Sequence, residues 1–394
     1  MTIVLTGGGS GGHITPILAV AAELKNKDPK ARIIYIGQTG DSLADIPRED
    51  PNLDEIYTIR AGKFRRFYGE GLGQFLNVSV FLKNFRDFFY VLIGIFQSWK
   101  LLNTLKPDVI FSRGGYVSVP VALAAALHKI PYITHDSDSI PSLANRIIAR
   151  WAKLHAVALP KNIYPYPQDK TITTGIPVSE NFKKVTSIAK NKYREQLNIP
   201  VSTKVLFIIG GGLGSQNINR AVVDIAPHLL QEYPDLRIFH ISGRSNEDSL
   251  NEEYNQTLNT EEQSRVEVIS YTTEVYKYSG AADVIVSRAG ATNIAEFAQQ
   301  GKACIIVPSS FLAGGHQLKN AEYLSDKGAA IVLNEEELIE DANRLAKEIS
   351  NLLSNTSKQE SLGENLSEFA KPDAAKIIAD IIVKTGKNNE NHQT

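Results

Sequence analysis

The chain has 394 residues, 43% of them apolar and 22% charged, with a formal net charge of −1. That length exceeds one typical core and makes two α/β domains the natural division, while the near-zero charge excludes a global polybasic surface for nucleic acid. The single cysteine, Cys304, rules out an internal disulfide and a CxxC metal site and fits a reducing compartment. Met1 leads directly into an apolar strand, so no signal peptide is expected. No apolar run is expected to be long enough to span a bilayer, and the protein reads as soluble or peripheral.

Thr2 to Thr6 reads as a buried strand, followed by the glycine loop Gly7 to His13 and a helix from Ile17 to Lys25. Gly7, Gly9 and Gly12 fit the dinucleotide fingerprint G-x-G-x-x-G. Its usual acidic partner is missing, because the second strand, Arg32 to Ile36, ends in Gly37-Gln38-Thr39, so a nicotinamide cofactor is not expected. His13 has two readings, a polar residue capping the loop or a general base, since imidazole titrates near neutral pH. Further on, Lys63, Arg65 and Arg66 alternate with Phe64, Phe67 and Tyr68, and Phe75 to Trp99 is rich in Phe and Leu. The interior of that run, Phe88 to Phe96, reads as a buried core helix. The residues before it, including Phe75, Leu76, Phe81 and Lys83, read either as core or as a membrane-docking surface.

Asp108 to Ser112 and Pro131 to Thr134 are further strands, the first leading into Arg113-Gly114-Gly115 and the second into His135-Asp136-Ser137-Asp138. No metal site is expected there, because adjacent strand residues alternate faces and no second ligand cluster exists. A Pro- and Tyr-rich stretch between Ala156 and Lys190 marks a domain crossover. The pattern then restarts with a strand from Lys204 to Ile209, the loop Gly210 to Ser215 and a helix from Asn217 to Tyr233. The most informative unit follows: strand Val284 to Val286, a turn through Gly290, a helix from Thr292 to Gln300 and a strand from Ala303 to Pro308. Strand, glycine turn and helix N-terminus together aim free N–H groups at one spot, which suits a phosphate. Glu296 lies one turn inside that helix, where a carboxylate could accept from ribose hydroxyls, and Gln317 follows the next strand on the same sheet edge. Residues 385–394 read as a polar, disordered tail.

Four segments, TGGGSGGHITPILAVA, SRGGYVSVPVALAAALHKIPYITHDSDSIPSLANRI, GGGLGSQNINRA and SRAGATNIAEFAQQGKACIIVP with GGHQLKNA, together resemble the MurG family of bacterial glycosyltransferases. The resemblance covers nearly the whole chain in order. It implies a GT-B fold, α/β, with two doubly wound Rossmann-like domains facing a shared cleft. Residues 1–165 would form the acceptor and membrane-docking domain, 166–365 the UDP-sugar domain, and 366–384 a C-terminal helix returning to the first. The implied activity is inverting, metal-independent transfer of N-acetylglucosamine from UDP-N-acetylglucosamine to lipid I, the undecaprenyl-pyrophosphoryl-N-acetylmuramoyl-pentapeptide. The product is lipid II for peptidoglycan. No cofactor is implied. The implied setting is the cytoplasmic face of the cell membrane, with other cell-wall synthesis proteins as partners.

Residue by residue, the resemblance places Ser10, Gly11 and Gly12 near substrate phosphates, with His13 the family histidine beside them. Gly212 falls at a phosphate-contacting loop position and Thr272 at one whose backbone reads uracil. Ala291, Thr292, Asn293, Ile294, Ala295 and Glu296 match the segment around ribose and phosphates, and Gln317 the glutamine that reads the sugar. His13 and Asp136 are the candidate bases. Four positions depart from the family pattern. Asp138 stands where an amide faces the sugar, Ser179 where an arginine points to the donor, Gly212 where a serine is typical, and Gly315 where an acid is common. These departures cluster on the donor site and keep two alternatives open: a UDP-sugar epimerase on the same fold, and a non-catalytic relative that binds lipid-linked precursor.

Overall fold

The computed structural model describes residues 1–9, 11–65, 78–309 and 315–393. The chain divides into two compact units. The first is Met1–Ser179 with Phe311–His316 and Lys371–Thr394, and the second is Glu180–Ser310 with Gln317–Ala370. The first extends past the expected 165 because a short strand at Thr171–Thr173 still pairs within its sheet.

In the first unit the order is β1 (Thr2–Thr6), α1 (Gly11–Lys27), β2 (Arg32–Gln38), α2 (Asp45–Arg48), β3 (Glu55–Ile59) and α3 (Val78–Leu105). It continues with β4 (Val109–Ser112), α4 (Ser118–Leu127), β5 (Tyr132–Asp136), α5 (Leu143–Ile148), β6 (Leu154–Val157) and β7 (Thr171–Thr173). These strands form one parallel sheet in the order β3-β2-β1-β4-β5-β6-β7. The second unit opens with α6 (Ser187–Gln196), β8 (Lys204–Ile209), α7 (Gln216–Glu232), β9 (Leu236–Ile241), α8 (Glu247–Thr257), α9 (Thr260–Gln263) and β10 (Val266–Ile269). There follow α10 (Val275–Ala281), β11 (Val284–Ser287), α11 (Ala291–Gln300), β12 (Cys304–Ile306), α12 (His316–Asp326) and β13 (Ile331–Val332). Helices α13 (Glu335–Glu340), α14 (Asn343–Leu353) and α15 (Thr356–Ser367) complete it. Its sheet, also parallel, runs β10-β9-β8-β11-β12-β13. In both units the strand order reverses beside the first strand, and the loops at the carboxyl ends there are where α/β folds hold ligands.

The sheets are buried on both faces, so strands such as Ile3-Val4-Leu5 and Val205 to Ile208 are apolar throughout rather than alternating. Cys304 is fully buried, and burial pushes its thiol up to about 12, the chemistry of a core residue. A last helix, α16 (Ala374–Gln393), packs on α1, where Ile378, Ala379 and Ile382 complete the core formed by Ile17, Val20, Ala21 and Leu24. The expected disorder from 385 is therefore corrected. The helix continues because Gly386 sits against Met1 and Val109, and the Asn389 side chain donates to the Asp108 carbonyl.

Two further expectations fail at α3. The stretch Phe88 to Phe96 is not a buried core helix: Phe88, Leu92 and Phe96 are 48%, 47% and 66% exposed. With Phe81, Phe85 and Trp99 they form an outward stripe at helical spacing. A separate stripe of Asp87, Gly94, Ser98, Leu102 and Leu105 is buried, and α3 packs on α4. The helix is also longer than its apolar core suggested, and Ser79–Leu105 has the length and mean hydropathy of a membrane-crossing helix. Polar Lys83, Asn84 and Arg86 concealed that length in the sequence. Phe67, Tyr68, Arg66, Phe75 and Leu76 lie outside the described residues.

Gly94 is a point of close approach between α3 and its unit. A Cβ there would lie 2.1 Å from the Arg60 carbonyl and 3.1 Å from Pro120. Gly94→Ala is expected to destabilise the first unit by about 1–3 kcal/mol, since backbone cannot yield as a flexible side chain would. Urea unfolding followed by tryptophan emission tests this. An unchanged midpoint would show that α3 is free to shift outward.

Candidate functional site

In the first unit the site is built from three loops at the carboxyl ends of β1, β4 and β5. The β1 loop is shorter than expected, because α1 begins at Gly11 rather than Ile17. Thr15 Oγ donates to the Gly11 carbonyl, and Pro16 lies inside the helix. Gly9 has φ +82, and a Cβ on it would stand 2.5 Å from the Tyr116 ring, so only glycine fits. Its N–H donates to the Asp41 carboxylate at 3.3 Å, and Tyr35 donates to the Gly7 carbonyl. An acid thus does serve this loop, three residues beyond β2, where it supports backbone. Ser10 lies outside the described residues; Gly11 and Gly12 form the first turn of α1, which carries no acidic residue.

His13 is part-buried, with its Nδ1 buried and without a hydrogen-bond partner among the described residues. Burial, and next the positive charge of Arg113, lower its pKa to about 3; a hydrogen bond to the Arg113 backbone works the other way. The imidazole is therefore neutral at physiological pH, with a low proton affinity while the site is empty. Asp136 is placed differently. It is 4% exposed at the end of β5, accepting from Tyr166 Oη at 2.7 Å and from the Ser142 N–H at 3.3 Å. Burial raises its pKa, and those hydrogen bonds hold it back. Both carboxylate oxygens are engaged inside the unit, so of the two candidate bases His13 has the freer acceptor atom. Asp138 follows, half-buried, two residues on.

Sequence reasoning passed over Arg113. It is 4% exposed at the end of β4 and donates to the Gly12 carbonyl at 3.4 Å and to Ser137 Oγ. A lone Arg before Gly-Gly carries no sequence signal that it is buried. Asn145 was likewise missed. It is 1% exposed and donates to the His135 carbonyl at 2.8 Å, while His135 Nε2 donates to the Gly175 carbonyl at 2.9 Å. These bonds stiffen the β5 loop from behind.

In the second unit the loops after β8, β9, β10 and β11 form the corresponding edge. Gly214 has φ +76, with the Ser242 carbonyl 2.0 Å from where its Cβ would be, and Ser215 caps α7 by accepting from the Ile218 N–H. Gly212 is partly exposed beside Gly211, where an added Cβ would meet nothing within 4 Å. Thr272 Oγ accepts from the Glu274 N–H at 3.0 Å, fixing the turn after β10, and the Arg244 guanidinium lies 4.5 Å over the Tyr271 ring.

The turn after β11 keeps its shape through Arg288, which donates to the Val307 carbonyl at 3.2 Å and pairs with buried Glu335. Asn320 donates to the Ala289 carbonyl at 3.2 Å and Asn293 to Ser287 Oγ at 3.2 Å. Helix α11 starts at Ala291 without a side-chain cap, and a Cβ on Gly290 would meet only open space. The first turn, from Ala291 to Asn293, thus presents a positive helix end that Gly290 leaves without a side-chain cap. Ile294 and Ala295 continue the helix to Glu296, 8% exposed and accepting no hydrogen bond among the described residues. Burial pushes its carboxyl up to about 8. Gln317, also 8% exposed, accepts from the Ser309 N–H at 2.9 Å. A buried acid with no partner among the described residues, beside a helix start without a side-chain cap, suits a ligand that brings both hydroxyls and phosphate.

Residues 3–157 match the glycosyltransferase family 28 N-terminal domain, and 205–378 its C-terminal domain. A relative from Natranaerobius thermophilus is 32% identical over 97% of this chain and 99% of its own length. It is named "UDP-N-acetylglucosamine--N-acetylmuramyl-(pentapeptide) pyrophosphoryl-undecaprenol N-acetylglucosamine transferase". One from Clostridium perfringens, of the same name, is 36% identical over 90% of this chain and 91% of its own. Among solved structures, Acinetobacter baumannii MurG superposes with TM-score 0.66 at 23% identity, covering 97% of this chain and 99% of that one. A UDP-GlcNAc 2-epimerase from Neisseria meningitidis superposes with TM-score 0.67 at 15% identity, covering 98% and 100%. At these identities the superpositions show a shared GT-B fold, and the full-length sequence matches show kinship: the chain belongs to the MurG family of glycosyltransferases.

Proposed function

We propose that this protein transfers N-acetylglucosamine from UDP-N-acetylglucosamine to lipid I, inverting the anomeric centre and forming lipid II. The observation that carries this reading is the donor constellation in the second unit: an uncapped helix start at Ala291, Glu296 one turn inside it with no hydrogen-bond partner among the described residues, and Gln317 on the same sheet edge. Glu296 takes the ribose hydroxyls, the N–H groups of α11 and the glycine loop before α7 take the diphosphate, and Gln317 reads the sugar. Backbone around Thr272 reads the uracil. The first unit supplies the chemistry on the acceptor. His13 removes the proton as the acceptor hydroxyl attacks C1 from the face opposite UDP, and charge on the departing diphosphate is met by helix N-termini.

The acceptor's lipid tail fits the outward stripe of α3. One face of that helix is committed to its own unit, so it lies along a bilayer surface instead of crossing it. Phe81, Phe85, Phe88 and Phe96 dip among the acyl chains, with Lys83 and Arg86 toward anionic headgroups. In this reading the protein sits peripherally on the cytoplasmic face of the membrane. Phe85→Glu with Leu92→Glu is expected to cut co-sedimentation with anionic vesicles at least about tenfold, each charge opposing insertion, while the unfolding midpoint holds. Unchanged co-sedimentation would remove α3 as the docking surface.

The test of the activity is UDP release from UDP-N-acetylglucosamine with and without a soluble lipid I analogue, with UDP-N-acetylgalactosamine as competitor donor. Release that depends on the acceptor and is specific for the glucosamine donor supports the transferase. The fold shared with a UDP-GlcNAc 2-epimerase gives the second reading its outcome: turnover of the donor to an epimer without acceptor.

A further inference from the structure

Three consecutive glutamates, Glu335, Glu336 and Glu337, open α13, yet of the three only Glu335 is buried, at 2% exposure. A negative charge at a helix start is favourable, and any of the three would serve that purpose from the surface. Taking one of them out of water is unfavourable unless donors meet it. Two do. Glu335 Oε1 accepts from Asn217 Nδ2 at 2.8 Å and from the Arg288 guanidinium.

The two donors come from different loops. Asn217 lies in the first turn of α7, two residues after Ser215, which caps that helix. Arg288 directly follows β11, and its Nη1 donates to the Val307 carbonyl just past β12. Strands β8, β11 and β12 are neighbours in the sheet, so one carboxylate joins the carboxyl-end loops of all three. Within those loops Gly211 and Gly290 face open space, where a Cβ would meet nothing within 4 Å. On its β9 side the β8 loop is held by Asn246, whose side chain donates to the Leu213 carbonyl at 3.3 Å and the Ser242 carbonyl at 3.0 Å. Glu335 supplies the hold on the β11 side.

We infer that Glu335 is a positioning residue for the donor's diphosphate, bracing the start of α7 against the turn before α11 through Asn217 and Arg288. This rests on the donor reading above, in which backbone N–H groups of those two helix starts share the phosphates. The brace fixes the spacing between them before any ligand arrives, so binding does not have to order the loops. Uracil and ribose are read elsewhere, at Thr272 and Glu296. The brace therefore acts on the phosphate part of the ligand.

The test compares UDP, which carries the diphosphate, with uridine, which lacks it, by calorimetry and NMR titration respectively. It uses the full chain as Asn217→Ala, Glu335→Ala, Glu335→Gln and the double variant Asn217→Ala/Glu335→Ala. Asn217→Ala removes one hydrogen bond and strands no charge, and it should weaken UDP about 3- to 10-fold. Glu335→Ala also strands Arg288 and should weaken UDP at least about 30-fold. Uridine affinity should change less than about twofold in both. Glu335→Gln keeps an oxygen for both donors and should lie nearer the parent than Glu335→Ala does. The double variant should match Glu335→Ala within about twofold, because Asn217 has by then already lost its acceptor. A double loss equal to the product of the single losses overturns the proposal. So does an equal loss for UDP and uridine, or parental UDP affinity in Asn217→Ala, a variant that reads the brace even where Glu335→Ala fails to fold. A parent chain that binds no UDP would sink the donor reading itself. Hydrogen exchange in residues 210–219 of the ligand-free protein would then decide the brace. Exchange that is faster in both single variants, and no faster still in the double, supports it; parental or additive exchange overturns it.

Discussion

Replacing His13 by alanine is expected to lower turnover by about 10²- to 10⁴-fold, the usual contribution of a positioned general base. Asp136→Asn should cost less in rate and more in stability, because its carboxylate is spent on Tyr166 and the Ser142 N–H. In the unliganded protein His13 has a low proton affinity, so the base role requires the bound substrates to raise it. Burial and Arg113 hold it neutral, so no fraction of enzyme is idled as imidazolium near pH 6.5. The diphosphates that both substrates bring are negative, and they raise the imidazole's affinity for a proton when the acceptor hydroxyl is to be stripped. The measurement is single-turnover transfer, with UDP-N-acetylglucosamine affinity and unfolding midpoint as controls. Near-normal transfer in His13→Ala together with its abolition in Asp136→Ala would reverse the assignment.

The second large effect is expected at Glu296. Its folded pKa of about 8 lies above the ordinary 4.5, so in the empty protein it is mostly protonated at pH 7. The sign for stability follows: its contribution is greatest below pH 4.5 and is lost as pH rises toward 8, because the fold must then hold an unpaired buried carboxylate. Glu296→Gln should accordingly stabilise the unliganded second unit at pH 8.5, by on the order of a few kcal/mol. Binding runs the other way. Ribose hydroxyls donate best to the ionised form, so donor binding at pH 7 should release a proton, and affinity should rise with pH up to about 8. Glu296→Ala should weaken UDP-N-acetylglucosamine by about 10- to 150-fold. Calorimetry in two buffers of different ionisation enthalpy reads the proton directly. No proton release, with affinity flat from pH 6.5 to 8.5, would show that Glu296 does not ionise onto the ligand.

What could be read from the residues alone, and what could not, divides along physical lines. The parallel sheets were legible, because strands such as Val205 to Ile208 are apolar on both faces, and so was the end of α11, where Gly301 takes φ +67. The strands that precede His13, Glu296 and Gln317 were legible for the same reason, although all three residues lie in helices. The start of α1 was misread because glycines and a proline argue locally against helix, and only tertiary contact decides otherwise. Arg113 was invisible, since burial of a charge depends on partners distant in sequence. At α3 hydropathy said core, whereas the burial pattern shows which stripe is packed and which faces out.

The return of α16 to the first unit also orders events during synthesis. Residues 1–179 leave the ribosome first, yet the apolar surface of α1 is sealed only by Ile378, Ala379 and Ile382. At ordinary translation rates the roughly 200 intervening residues take about 10–40 s. For that interval the nascent N-terminal unit carries an open seam on α1 as well as the greasy stripe of α3 on the other face of its sheet, and the second unit can finish before the seam closes. Chaperone dependence, and solubility of C-terminally shortened chains, should therefore be decided at α1 and not in the second unit.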